Sequence, residues 1–314
     1  MITRSAGRRL ANCILAFALC ILSVGCNMFL AKREAPEAKG PRAPVGDTSG
    51  LTTETLVAYL NKHAEKVESI DANDISLTVR GPGTPGVTLD GTLMVQKPRY
   101  FRLVGKHPLT GTEVVVGSNA DQFWFYVPKM QDALMHCSYT DFEKGVDLPF
   151  PFDPQWVPEA LGMAHVPAEG TNRMEKDEKA GIVRLIQDGT LHGQRVKKVT
   201  VCYLAPTSRD VPQVKARIVY DERGKVICQA TIKSVTRMPI GPDRAGKTVY
   251  AEVPKVVKLE WPAQDASIEL DLGKARVNQP LPMSAFQMPD LGSKRIDLGR
   301  DRPTGRGVVP AQFR

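Results

Sequence analysis

The chain has 314 residues, with 42 Lys and Arg against 34 Asp and Glu, a net charge of +8, and 42% hydrophobic residues. The excess of basic residues lies at the ends: residues 51–292 hold 29 groups of each sign, whereas 293–314 hold six basic and two acidic. Nucleic-acid-binding proteins concentrate basic side chains on a folded face, and a neutral body argues against that class.

The first elements form an address. Arg4, Arg8 and Arg9 precede an apolar run that starts at Leu10 and ends in Leu22-Ser23-Val24-Gly25-Cys26. A basic start, an apolar stretch of about 15 residues and a small-residue junction make a secretory signal, since a spanning helix needs about 20. The Gly25-Cys26 junction resembles the bacterial lipobox, which implies cleavage before Cys26 and its lipidation. Residues 1–25 are then signal peptide and Cys26 a membrane anchor held by two or three acyl chains. The alternative is an uncleaved anchor or a plain secretory peptide with Cys26 an ordinary thiol. Residues 26–50, rich in Ala, Pro, Gly and charge, read as a flexible tether.

From Thr52 or Thr53 as N-cap, Leu56, Tyr59, Leu60, His63 and Val67 recur at helical spacing, predicting an amphipathic helix that ends near Ser69. The period then becomes two. Ile75, Leu77 and Val79 alternate with polar residues, as do Val87, Leu89, Leu93 and Val95. Gly81 to Gly86, with prolines at 82 and 85, is the turn between them. Further strands are expected at 99–105, 112–118, 122–128, 132–138, 181–187, 196–204, 213–221, 225–235, 249–261 and 267–272. Asp221-Glu222-Arg223-Gly224 is a hairpin turn in which Gly224 supplies positive φ. No βαβ rhythm appears, so the fold class is mainly β (α+β) with one antiparallel sheet.

Residues 147–163 interrupt the strands. Four prolines surround Phe150, Phe152, Trp156 and Leu161, which reads as a loop leading into a short helix that covers something apolar. Both faces of Phe123-Trp124-Phe125-Tyr126 are aromatic, so a second layer covers this strand or a cavity lies behind it. A filled core under a curved sheet and an acyl-sized cavity with the helix and the proline-rich segment as its lid both satisfy the pattern.

The segment from Gly91 to Phe101 (GTLMVQKPRYF) and the run from Phe123 to Pro128 (FWFYVP) resemble the periplasmic outer-membrane lipoprotein carriers and receptors, the LolA/LolB-like superfamily. Ala285-Phe286-Gln287-Met288-Pro289 is similar to the family's closing strand. The resemblance spans about residues 51–292 and leaves 293–314 as a basic disordered tail. It implies a curved antiparallel sheet forming an unclosed β-barrel, with an N-terminal helix and a short lid helix. It also implies a cavity for lipid or lipoprotein acyl chains, lined here by Leu89, Leu93, Phe101, Leu103, Phe123 and Phe125. An arginine before the strand proline helps lock the family's lid. Lys97 stands at that position, cannot copy the planar guanidinium, and leaves Arg99 or Arg102 as substitutes. Phe150, Phe152 and Trp156 belong to the lid.

A bacterial envelope protein facing the periplasm follows from the address, with the outer membrane favoured by Asn27 after the anchor. Its expected partners are acyl chains, the membrane through Cys26, and periplasmic carrier or envelope proteins. The alternative is a non-catalytic structural or protein-interaction module of the envelope. No catalytic or metal site and no cofactor are expected. His63, His107, His136, His165 and His192 are scattered, His136 and Cys137 would face opposite sides of a strand, and no Gly-x-Ser-x-Gly elbow occurs. Cys137, Cys202 and Cys228 are an odd number beyond the anchor, which argues against a disulfide framework and leaves a Cys202–Cys228 bridge open.

Overall fold

The computed structural model describes residues 50–300 apart from 82, 84, 129–130, 147, 149–151, 168–170, 192–193, 205–211 and 243–244. The signal segment, Cys26 and Phe150 lie outside the described residues.

Helix α1 (Thr53–Glu65) opens on a capping box: the Thr52 hydroxyl accepts from Thr55 N at 3.2 Å, and Thr52 N donates to Thr55 Oγ1 at 2.9 Å. Its buried face is Leu56, Val57, Leu60 and Ala64. The helix stops short of Ser69 because Ser69 already belongs to a strand and pairs with Gln96.

The first meander comprises β1 (Ser69–Arg80), β2 (Val87–Gln96), β3 (Tyr100–His107), β4 (Gly111–Ser118), β5 (Gln122–Val127) and β6 (Gln131–Ser138). Two short helices follow, α2 (Tyr139–Glu143) and α3 (Trp156–Ala160). The second meander comprises β7 (Arg173–Asp177), β8 (Ile182–Leu191), β9 (Gln194–Leu204), β10 (Pro212–Asp221), β11 (Val226–Pro242), β12 (Thr248–Trp261) and β13 (Ala266–Asp271). Strands β14 (Ala275–Val277) and β15 (Lys294–Asp297) end the fold. The β10–β11 turn forms as expected, with Gly224 at φ 76° and its N–H donating to Asp221 O.

All belong to one 15-stranded sheet, ordered β15-β6-β5-β4-β3-β2-β1-β13-β12-β11-β10-β9-β8-β7, with β14 alongside the start of β1. Every pairing is antiparallel except β15 with β6. The two meanders meet where β1 pairs with β13, and the edge strands β15 and β7 are not paired with each other. The molecule is therefore mainly β, one curved antiparallel sheet not closed into a barrel, with an N-terminal helix. Curvature has local causes. Gly91 stands opposite Gly105, and a methyl on Gly105 would sit 2.7 Å from Leu77 Cδ2. Bulges interrupt the register between Ala72 and Ile75 and between Gly105 and Lys106, and glycines and bulges are where a sheet bends.

Two expectations are corrected. Residues 285–289 are not a closing strand: Met283–Phe286 is a 3-10 turn, flanked by Pro282 and Pro289, which lack the N–H a ladder needs. Lys294–Asp297, placed in a disordered tail, is a strand on β6 with Leu298 N donating to His136 O. The alternation Lys294, Arg295, Ile296, Asp297 is too polar to announce a strand, and pairing with an open edge supplies what the pattern lacks.

Candidate functional site

The inner face of the sheet is built from cross-strand rows. Leu89, Leu77, Leu270 and Val257 are successive partners across β2, β1, β13 and β12. Ala72, Leu93, Leu103, Val116, Phe125 and Met135 form a second row. A third runs Ile70, Val95, Phe101, Ser118, Phe123, Cys137. Side chains alternate between faces along a strand, so all six residues expected to line a cavity share one face. None is more than 8% exposed.

Three helices cover this face. The α3 segment lies over the middle: Phe152 meets Phe101 edge-on at 6.3 Å between ring centroids, and Trp156 meets Trp261 at 5.5 Å. Because Phe101 and Trp261 lie on opposite sides of the β1–β13 junction, the sheet must wrap around the segment to touch both. Helix α2 covers one end, Tyr139 and Phe142 packing on Phe123. Helix α1 covers the other, with Leu56, Val57 and Leu60 against Val183, Leu185, Cys202 and Leu204.

Polar fastenings hold α1. The Asn61 side chain donates to Val166 O at 2.9 Å and accepts from Val166 N at 2.7 Å. His63 Nε2 lies 2.7 Å from Glu252 O. Lys97 Nζ donates to Ala64 O at 2.7 Å and pairs with Glu68 at 3.3 Å. A single ammonium thus suits this position, because the acceptor is one carbonyl in the last turn of the helix, where a cation is also favoured by the helix dipole. Arg99 does not substitute for it. Its guanidinium stacks 4.3 Å over the Tyr139 ring, fastening α2. Arg102 stands opposite Met94 and Gly117 on the outer face, so the expectation that it replaces the lock is corrected by strand parity.

The outer face of β3–β6 has its own cover. Val104, Val115, Trp124 and Leu134 pack with Met288 and Leu291. The second aromatic face of β5 is therefore explained by a strip of chain that returns over it, and Trp124 is fully buried.

Sequence reading missed the polar patch of the inner face. Arg217 stands opposite Ala230 and Thr200, and Ala230 stands opposite Leu259, so Arg217 shares the face of the apolar rows. Lys198 is opposite Val219, which is opposite Cys228. A cavity of about 320 Å³ opens here, between α3 and strands β8–β10. Lys198 Nζ donates to Glu159 at 2.7 Å; burial alone would lower its pKa, but the Glu159 charge and hydrogen bond more than offset that and raise it. Burial pulls the Arg217 guanidinium below its ordinary value, opposed by Glu159 and Cys202. Alternation in β9 (Val196, Lys198, Thr200, Cys202 against Lys197, Val199, Val201, Tyr203) does not tell which set is inward.

The three described cysteines are free and buried. Cys202 lies under α1 and Cys228 in the central cluster, with β10 between their strands. Among the described residues no helix is long and apolar enough to cross a membrane, and no group of three His, Cys, Asp or Glu is arranged to hold a metal ion.

No protein-family model matches the chain, and no curated protein matches it. Among solved structures it is similar to an outer-membrane lipoprotein-sorting protein domain from Vibrio parahaemolyticus, at 13% identity over 75% of this chain and 97% of that one, TM-score 0.46. A LolA superfamily protein from Nitrosomonas europaea aligns at 9% identity over 76% and 98%, TM-score 0.44. A DUF1329 family protein from Desulfovibrio piger aligns at 11% identity over 75% and 95%, TM-score 0.42. Its structural neighbours thus include LolA superfamily and outer-membrane lipoprotein-sorting proteins.

Proposed function

We propose that this protein is a membrane-anchored, non-catalytic lipoprotein of the bacterial envelope. It holds acyl chains of a lipid or lipoprotein against the inner face of its sheet, facing the periplasm and tethered through lipidated Cys26. The observation that carries the reading is the set of continuous apolar rows across both meanders, covered by short helices rather than by a second sheet. Such a cover is held by a few side-chain fastenings and can be displaced without breaking a strand ladder. Leu89, Leu93, Phe101, Leu103, Phe123 and Phe125 would then touch the chains, with Phe150, Phe152 and Trp156 moving aside and Lys97 among the fastenings. An anchored protein acts as receptor or holder and not as a shuttle, which agrees with a role in transfer to the outer membrane.

A second reading has its own observation. The six side chains are at most 8% exposed, and four of them pack in one cluster with Phe152, Trp156, Leu161 and Met163. A face so filled suits a scaffold for envelope protein partners.

Native mass spectrometry of the purified protein, followed by extraction of bound lipid, decides between them. A defined acylated species in stoichiometric amount is the result expected for a lipid holder. An unliganded mass that does not change on adding fatty acid or lipopeptide would rule that reading out and leave the scaffold.

A further inference from the structure

The cavity between α3 and strands β8–β10 is lined by Trp156, Glu159, Asp188, Lys198, Thr200 and Arg217, among others. Its charges are unevenly satisfied. Lys198 is committed to Glu159 at 2.7 Å, and the Asp188 carboxylate accepts from the Thr171 hydroxyl at 2.6 Å. Arg217 makes no ion pair among the described residues, and its Nε is enclosed without a hydrogen-bond partner there. The indole Nε1 of Trp156 is enclosed and unpartnered in the same way, on a ring only 4% exposed. Buried N–H groups almost always find an acceptor, and one left unmade costs the full desolvation of the donor. Both side chains line one cavity, and one of them is a cation to which the described residues supply no ion pair.

Position adds to chemistry. Arg217 lies on the same face as Ala230 and Leu259, so the cavity is a polar patch on the face of the apolar rows. Trp156 joins the two regions, since its ring packs on Trp261 in the central cluster while lining the cavity. The volume is at the lower end of the range for small-molecule sites, about 300–1,000 Å³, which suits a head group rather than a whole acyl chain.

We propose that this cavity binds the oxyanion, a phosphate or carboxylate, of an amphiphilic ligand, with Arg217 and the Trp156 N–H as its donors. The ligand's apolar part lies against the inner face, and in that half the inference rests on the acyl-binding reading above. The oxyanion half stands on the cavity alone.

The test uses the full chain in a neutral detergent, titrated with monooleoyl phosphatidic acid, with monooleoylglycerol carrying the same chain, and with inorganic phosphate. Binding is followed by tryptophan quenching and thermal shift. The acidic lipid should bind about ten- to hundredfold more tightly than the neutral one, the range of a charge-assisted hydrogen bond. Arg217→Met should erase that preference, Arg217→Lys should keep part of it, and Trp156→Phe, which removes the N–H together with the five-membered ring, should weaken it. Should Arg217→Met lose its cooperative melting, Arg217→Lys carries the test, because it keeps the charge and the length while removing the guanidinium N–H fork. Equal affinity for the two lipids, unchanged in Arg217→Met, would overturn the oxyanion site and leave acyl binding standing. Binding of inorganic phosphate alone, lost in Arg217→Met, would support the oxyanion site as one for a free anion and overturn acyl binding. If none of the three binds, both are overturned.

Discussion

At the residue scale, three thiols and one glycine carry the clearest consequences. Burial pushes Cys137 up to about 11 and Cys202 and Cys228 up to about 12. An unfolded cysteine ionises at roughly 8.5. The folded groups therefore keep their protons where the unfolded chain has lost them. Their contribution to stability is complete below that value and is lost as pH rises towards 11–12. The slope is about 1.4 kcal/mol per pH unit for each thiol. Burial, then the Glu252 charge, raises Tyr59 to about 12, which acts in the same direction above its ordinary value. Urea unfolding at pH 8 and pH 10 should show a large fall in midpoint, and Cys202→Ala or Cys228→Ala should reduce it; a flat profile would contradict buried neutral thiols. Gly117 faces the Trp124 ring across β4 and β5, and a Cβ there would sit 2.6 Å from Trp124 Cε2. Gly117→Ala should cost about 1–3 kcal/mol by overpacking, read as a lower urea midpoint with an altered Trp124 environment in near-ultraviolet circular dichroism.

At the element scale, α1 is a well-formed helix that is lightly held. Its start is secured by Thr52 and its apolar face by β8 and β9, but its attachment to the chain after α3 runs through Asn61 and the Val166 backbone. Asn61→Ala removes both hydrogen bonds and strands the Val166 N–H and C=O. The expected loss is about 1–3 kcal/mol. Hydrogen exchange should quicken across 53–65 while β1–β3 keep their protection. Uniform loss of protection would mean that α1 is an integral part of the core and not a separable cover. α3 differs, because Phe152 and Trp156 reach aromatic partners on both meanders. Its sequence, with prolines at 149, 151, 154 and 158, permits only a short helix, and the tertiary contacts decide where it lies.

At the scale of the whole molecule, one open sheet carries two chemically different regions on its inner face. The apolar region spans β1–β6 and β11–β13 and resumes under α1 at Val183, Leu185, Cys202 and Leu204, and the polar patch lies between them around Lys198, Thr200 and Arg217. If acyl chains occupy the apolar region, Phe125→Arg or Leu93→Arg should abolish lipid uptake in a protein that still melts cooperatively. Retained uptake would remove those positions from the contact surface. The address is tested apart from the cargo. Cys26→Ser should move the protein from the membrane to the soluble envelope fraction, and an unchanged membrane fraction would refute the lipid anchor.

The legible part of the fold was that set by local periodicity. Helix α1 with a threonine cap, the strands of the two meanders apart from the polar β7, the Gly224 turn and the short helix after residue 154 all follow from spacing, capping and turn chemistry within a few neighbouring residues. The shared face of Leu89, Leu93, Phe101, Leu103, Phe123 and Phe125 was also readable, because alternation assigns a face once strands are in register. Other features were decided only in the folded molecule. Strand β15 is too polar and short to signal itself and exists because β6 offers an open edge. The strip at 288–291 covers Trp124, where alternation could say only that something must. Arg102 points outward and Arg217 inward through register alone, since a strand with polar residues on both faces has no local reason to choose. By itself the sequence determined most of the segments that are helix or strand, because periodicity, capping and turn chemistry are local. The tertiary structure decided which faces meet and which charges are left without partners, because register and burial depend on residues far apart along the chain.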